Sequence, residues 1–158
     1  MTASAHSTAP AEPSAAAKPQ RISTKPVPEP TRASRPFWEG CKRGELLLPV
    51  CGACGRTFFY PRILCPYCGS DDIGWRSATG RGTVYTHTTV RMSFWGDAFA
   101  DDIPYNVSFI ELDEGVRIVS AVVGIPAEEV RIGMPVAVEF EPRGDYAIPV
   151  FRPVGDAS

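Results

Sequence analysis

Cys51-Gly52-Ala53-Cys54-Gly55 and Cys65-Pro66-Tyr67-Cys68-Gly69 are two knuckles of one design, ten residues apart. A two-residue gap lets both sulfurs of a knuckle face one ion. The glycine after the second cysteine accepts the left-handed backbone that turns N–H groups toward the sulfurs. Four thiolates in a tetrahedron suit Zn²⁺ and leave no position for water or substrate. The expected ion at Cys51, Cys54, Cys65 and Cys68 is therefore a structural Zn²⁺, although the Cys65-Pro66-Tyr67-Cys68-Gly69 knuckle would also accept iron. The metal is a staple, so the search for function moves away from it.

Upstream, Pro36 suits the first turn of a helix that continues through Phe37-Trp38-Glu39-Gly40-Cys41-Lys42-Arg43, with Gly44 as its C-terminal cap. Phe37, Trp38 and Cys41 share a face. Leu46, Leu47, Leu48 and Val50 lead into the first knuckle as a strand. Phe58-Phe59-Tyr60-Pro61 follows that knuckle, and Ile63-Leu64 enters the second. The aromatics supply what small core such a zinc ribbon has.

From Gly80 the pattern changes to strands. Thr83 to Val90 is rich in β-branched residues. Pro104–Leu112 and Val116–Val123 read as the next two strands, joined by a hairpin turn at Asp113-Glu114-Gly115. Pro126 to Val130 reads as one helical turn, with Pro135–Glu141 and Ala147–Phe151 as the last strands. Three strands, a short helix and two strands is the order of an OB-fold, a five-stranded Greek-key barrel. The expected fold is mainly β: an N-terminal helix, a rubredoxin-like zinc ribbon, then a five-stranded OB-fold barrel. The expected divisions are a disordered tail at 1–34, helix and ribbon at 35–78, and OB-fold at 79–154.

The tail reading rests on six prolines, eight alanines and only Ile22 and Val27 as large aliphatics. Such a segment buries too little to offset its chain entropy. Its proline density also works against the amphipathic helix of a transit peptide. No apolar run reaches the roughly 18 residues of a membrane span, and the N-terminus lacks the apolar core of a secretory signal. With paired cysteine knuckles, this predicts a cytoplasmic protein and no membrane partner. The 158-residue chain carries a formal charge of −2, and the part after the tail carries 12 basic and 16 acidic residues. That balance argues against a nucleic-acid partner, which needs a basic surface.

Several motifs in this order resemble a known family. They are Arg35-Pro36-Phe37-Trp38-Glu39-Gly40, Gly44-Glu45-Leu46, the two knuckles and Phe59-Tyr60-Pro61-Arg62. Gly80-Arg81-Gly82-Thr83-Val84-Tyr85, Val130-Arg131-Ile132-Gly133-Met134-Pro135-Val136 and Pro149-Val150-Phe151-Arg152-Pro153 complete the set. Residues 35–154 resemble the zinc-ribbon/OB-fold accessory proteins of acyl-CoA metabolism, known as domain of unknown function 35. The resemblance implies a companion of a thiolase-superfamily enzyme active in thiolysis, acyl transfer, Claisen condensation or retro-aldol cleavage. Other members are fused or bound to a hotdog-fold hydratase, as in steroid side-chain degradation. It also implies acyl-CoA as ligand, with the barrel holding the thioester while ribbon and helix dock the partner. No hydratase segment accompanies the motifs here, so the enzyme is expected on a separate chain.

Candidate CoA or partner contacts follow. Phe37 and Trp38 either stack on adenine or a partner groove, or pack the helix on the barrel. Arg81 and Arg91, with Arg76, offer guanidinium forks for the phosphates of CoA; the competing reading is a solvated face. Alternation places Tyr85, His87 and Thr89 on one strand face. His87 either polarises a thioester carbonyl or is a hydrogen-bonded strand histidine. Met92 to Phe99, with Phe94 and Trp95, is too apolar for a bare loop and is read as an acyl-pocket wall or a partner contact.

No catalytic residue is assigned. Cys41 would need a base to act as a nucleophile, and the chain offers only His6 and His87. The sequence thus reads as a non-catalytic subunit that positions acyl-CoA for a thiolase-like enzyme in degradation of steroid, aromatic or fatty acyl chains. Its rivals are a single-strand nucleic-acid-binding OB protein and a lone acyltransferase using Cys41 and His87.

Overall fold

The computed structural model describes residues 25–92 and 96–155, without the side chains of Gly96 and Asp97. It has one α-helix, α1 (Arg35–Lys42), and seven strands. These are β1 (Leu47–Cys51), β2 (Ile73–Ser77), β3 (Arg81–Val90), β4 (Tyr105–Leu112), β5 (Arg117–Ser120), β6 (Pro135–Arg143) and β7 (Tyr146–Pro153). Short 3-10 segments at Gly96–Asp102 and Ala127–Glu129 fill two connections.

Helix α1 ends as its sequence dictates. Gly44 takes φ +78°, its N–H donates to the Cys41 carbonyl (3.1 Å), and the Glu45 N–H donates to the Gly40 carbonyl (2.9 Å). These two bonds are the Schellman pattern, which satisfies carbonyls the helix leaves open. At the other end Ser34 is fully buried, and its backbone N–H donates to the Thr31 carbonyl at 3.2 Å. The chain then turns into β1, which pairs antiparallel with β2 in the register Cys51↔Ile73 to Leu47↔Ser77. The sequence reading had no strand at β2. Its alternation of Ile73 and Trp75 is short and sits directly against polar Asp71 and Asp72.

The remaining strands form one antiparallel sheet in the order β5-β4-β3-β6-β7. Its two edges curl together at a parallel bridge between Val122 and Phe151. The Val123 N–H donates to the Phe151 carbonyl (2.7 Å), and the Phe151 N–H to the Ala121 carbonyl (2.9 Å). Alternation from β4 sends Asn106, Ser108, Ile110 and Leu112 inward. They meet Val84, Ile118, Val136 and Phe151 in a core that also takes Phe37, Cys41, Leu46 and Leu48 from the helix and β1. Helix, ribbon root and barrel therefore share one hydrophobic core. The hairpin turn at Asp113-Glu114-Gly115 is as expected, with Gly115 at φ +76° and the Leu112 N–H donating to the Val116 carbonyl (2.9 Å).

One local reading needs correction. The register of β3 against β4 shifts between Val84 and Thr86, leaving Tyr85 as a bulge. Val84 lies opposite inward-facing Ile110 and His87 opposite buried Ser108. Tyr85 is thus outside while His87 and Thr89 face in, and the three do not share a face. Simple alternation cannot register an extra residue. Of the expected tail the structure describes residues 25–34: Lys25 pairs with Asp102 at 2.5 Å and lies over the Phe99 ring, and Val27 sits where a Cβ on Gly144 would be, 2.9 Å from its nearest methyl. Such point contacts give no compositional signal.

Asn106 pins the closure. Its Nδ2 donates to the Val122 carbonyl (2.6 Å), and its Oδ1 accepts from the Val122 N–H (2.8 Å) and the Ser108 hydroxyl (2.8 Å). The amide thus imitates a strand neighbour for the residue that bridges to β7. Asn106→Ala should orphan both backbone groups of Val122 and cost about 3 kcal/mol in urea unfolding of the metal-loaded protein. A loss below about 0.5 kcal/mol would show that water replaces the amide without penalty.

Candidate metal centre and apolar groove

Cys51 sits at the end of β1, and Cys54, Cys65 and Cys68 follow on the knuckles. All four Sγ atoms lie within 4.8 Å of one another. Cys51 and Cys68 sulfurs are 3.6 Å apart, and Cys54 and Cys65 sulfurs 3.7 Å. Zn–S bonds of about 2.3 Å in a tetrahedron put sulfurs about 3.8 Å apart, so the cluster has the size the ion requires. The knuckle glycines behave as their positions predict: Gly55 (φ +71°) donates to the Cys51 carbonyl and Gly69 (φ +75°) to the Cys65 carbonyl, at 2.8 and 3.0 Å. The Tyr67 N–H approaches the Cys65 sulfur at 3.4 Å. Four sulfur donors from two rigid turns fit a structural zinc. The small apolar cluster beside them contains Phe58, with Ile73 partly covered, so a bound metal would supply cohesion that these side chains do not.

Cys41 is unsuited to nucleophilic chemistry. It is 1% exposed in the shared core, and burial pushes its thiol up to about 12, against a lowering by its own backbone hydrogen bond. A thiol so raised is protonated and inert at neutral pH.

A second feature is a groove of 620 Å³ on the outside of the barrel. It runs along the seam between β5 and β7. One wall is Arg117–Ala121 and the other Ile148–Val150, with Val107 and Phe109 of β4 beside them. Helix and ribbon close one side with a chain of rings. Phe37 meets Trp38 edge-on with ring centres 4.9 Å apart, Phe59 meets Phe37 at 5.4 Å, and Tyr60 meets Phe59 edge-on at 5.4 Å. Phe99, 5.7 Å from Tyr105, borders the opposite end. Phe109, Val119 and Tyr60 are 43–53% exposed here, a continuous apolar surface on a small chain.

The expected contact residues scatter around this groove. Trp38 lines it, while Phe37 is only 1% exposed and belongs to the core. Tyr85 is exposed beneath the Arg117 guanidinium, 3.4 Å from its ring centre, at the groove's margin. Arg81 and Arg91 begin and follow the ten-residue β3, so at strand rise they stand about 30 Å apart and do not converge on one phosphate. Arg91 is paired with Glu128 at 3.0 Å, and Arg76 donates to the Thr57 hydroxyl at 2.7 Å. His87 faces inward with its Nδ1 buried and without a partner among the described residues. Phe94 and Trp95 lie outside the described residues. The sequence reading missed Phe109, Val119 and Ile148. Each sits in an ordinary strand pattern, and only closure of the sheet brings the three together.

Known proteins share this arrangement. The description "ChsH2, rubredoxin-like zinc ribbon domain" matches residues 38–74, and "ChsH2, C-terminal OB-fold domain" matches residues 75–141. A probable enoyl-CoA hydratase alpha subunit from Thermomonospora curvata is 35% identical over 130 residues, covering 82% of this chain and 40% of that protein. This chain thus spans well under half of that relative's length. A DUF35 domain-containing scaffold protein from Methanocaldococcus jannaschii is 34% identical over 65% of this chain and 73% of its own. The solved structure of the Ltp2-ChsH2(DUF35) aldolase superposes with TM-score 0.72 at 34% identity, covering 80% of this chain and 98% of that one. A DUF35-family structure from Sulfolobus solfataricus, 17% identical at TM-score 0.56, shares the fold.

Cys65→Ser should abolish stoichiometric metal in elemental analysis, whereas Cys41→Ser should retain it. Since ligand thiolates must be deprotonated, metal occupancy should fall as pH drops and hold above neutrality. Freshly purified protein without Zn or Fe would contradict the assignment. In the native metal-loaded protein, Cys41 should resist iodoacetamide on a time scale that fully alkylates it after unfolding. Rapid native alkylation would restore it as a candidate nucleophile.

Proposed function

The chain belongs to the DUF35/ChsH2 zinc-ribbon/OB-fold family, which is associated with thiolase-superfamily and acyl-CoA enzymes, and from that premise we propose that it is a non-catalytic accessory subunit. It binds a thiolase-like enzyme (thiolase, acyltransferase or retro-aldolase) and positions the acyl-CoA thioester at that enzyme's active site. The observation that carries the reading is the pairing of a closed four-sulfur site with an apolar, solvent-open groove. The metal cluster has no vacant position for a substrate. Cys41 is buried and protonated. Ser108, the hydroxyl opposite His87, is fully buried and donates to Asn106 Oδ1, so its proton is committed to the barrel closure and not to the imidazole. What the surface does offer is a rigid aromatic wall beside two strands, the composition of an interface hot spot.

In this reading Trp38, Tyr60 and Phe109 make the apolar contact, and Arg117 above Tyr85 supplies a cation at its margin. The partner's residues carry the covalent steps. Likeness to the Ltp2-ChsH2(DUF35) aldolase favours a carbon–carbon bond-cleaving or bond-forming partner. Likeness to the hydratase subunit extends the candidates to a hydratase partner. A single-strand nucleic-acid role is the weaker reading. The barrel residues 79–155 carry six basic and eleven acidic side chains, the wrong sign for a phosphate backbone.

Gel filtration of the zinc-loaded chain with a thiolase-like enzyme from its own genome should yield a hetero-oligomer. Trp38→Ala should weaken it by about 2 kcal/mol, roughly thirtyfold in Kd. Undiminished affinity in Trp38→Ala and in Phe109→Ser would remove the groove from the interface. Capture of single-stranded DNA with no enzyme bound would favour the rival.

A further inference from the structure

The ribbon carries a second recess, separate from the groove. A cavity of 470 Å³ lies between the turn that enters α1 and the loop that enters the second knuckle, and it shares no wall residue with the groove. Ile73 and Trp75 of β2 line it, the first packed against the cysteine cluster and the second against the shared core. Arg32 and Pro36 border it from the helix side, and Arg62, Ile63 and Leu64 from the ribbon side.

Ile63 and Leu64 are consecutive aliphatics, 67% and 49% exposed. A lone exposed aliphatic is ordinary, but a pair standing beside an apolar recess marks a contact surface. Their place is also fixed. Leu64 precedes Cys65, whose N–H donates to the Ser70 carbonyl (2.8 Å), and the Gly69 N–H closes the same turn on the Cys65 carbonyl (3.0 Å). A side chain presented beside so tight a turn loses little freedom on binding.

Charge selects what covers this surface. Arg32 and Arg62 have no carboxylate partner among the described residues, whereas Arg43, Arg91, Arg117, Arg143 and Arg152 are each paired. Asp71 is the one acidic residue on the walls, so the cavity is net positive. Residues 25–78, which contain it, carry eight basic and five acidic side chains. Ile73 and Trp75 lie within a recess, which takes an inserted side chain rather than a flat lipid surface.

We propose that this cavity docks an acidic segment of another protein, with one large apolar side chain inserted against Ile73 and Trp75 and flanking carboxylates on Arg32 and Arg62. The volume is in the range of pockets that enclose such an anchor. Guanidinium forks from two separate segments set the direction and register of what they hold. The site depends neither on the accessory role nor on the groove. Where that role holds, occupation of this cavity leaves the groove open.

Panning a random peptide display library on the full-length, zinc-loaded chain and on its Arg32→Glu/Arg62→Glu variant tests the site. Peptides enriched on the unaltered chain alone should combine Asp or Glu with a large apolar residue. A fluorescein-labelled synthetic copy of the strongest should bind the double variant and Ile63→Ser roughly tenfold more weakly or worse. Its affinity for the unaltered chain should also fall as salt rises from about 0.05 to 0.5 M. Zinc content confirms an intact ribbon in each variant. Enrichment of neutral or basic peptides, no enrichment, or equal affinity for the variants would overturn the proposal. So would binding to phosphatidylserine vesicles that needs Arg32 and Arg62 while no acidic peptide is selected, which would make a lipid surface the occupant. A dimer's mass on gel filtration that the double variant abolishes would likewise overturn it, in favour of a second copy.

Discussion

Four cysteine sulfurs within 4.8 Å of one another, the size one structural ion would require, are the constraint on which the architecture rests. Around the two knuckles the apolar cluster is small, Phe58 with Ile73 partly covered beside the cysteines. Closing the loop from Cys51 to Cys68 on a metal fixes Phe59 and Tyr60 at its far side. Those rings continue the row begun by Phe37 and Trp38, and so build one wall of the groove. The opposite wall comes from a different source, the incomplete closure of the barrel. A metal held by the four sulfurs would therefore shape that surface from a distance.

Helix α1 makes the two halves one body. Its apolar face places Phe37 and Cys41 in the core that also contains Ile110, Ile118 and Phe151. Gly40 allows the close approach: a Cβ there would come within 2.8 Å of the Glu45 carbonyl and the Leu47 side chain. Movement of the ribbon against the barrel would strip Phe37 of its neighbours, at a cost of about 3 kcal/mol or more. A rigid junction suits a surface that must present aromatic rings in fixed positions. Charge divides along the same line, since residues 25–78 carry eight basic and five acidic side chains while the barrel is acidic.

Much of this was legible in the sequence where one residue type has one mechanism. Cysteine spacing, the left-handed glycines at 44, 55, 69 and 115, and the strand-helix-strand order of the barrel all declared themselves. What stayed hidden depends on relations between distant segments. The bulge at Tyr85 exists because β3 must bend around the barrel, and it puts His87 inside where alternation put it beside Tyr85. β2 is a strand because β1 offers it an edge, not because its own residues demand one. The groove joins Phe109, Val119 and Ile148 from three strands, and no local pattern distinguishes those positions from other outward residues. The attachment of residues 25–34 rests on few contacts, which a composition rule averages away.

In the proposed role this chain serves another protein's thioester chemistry. The decisive experiment is turnover of an acyl-CoA by a thiolase-like enzyme while the metal-loaded chain is titrated in. The chain alone should give no turnover, and the enzyme's kcat/KM should rise saturably and level off at a fixed stoichiometry. Thioester turnover by the isolated chain, or an enzyme indifferent to its addition, would overturn that role.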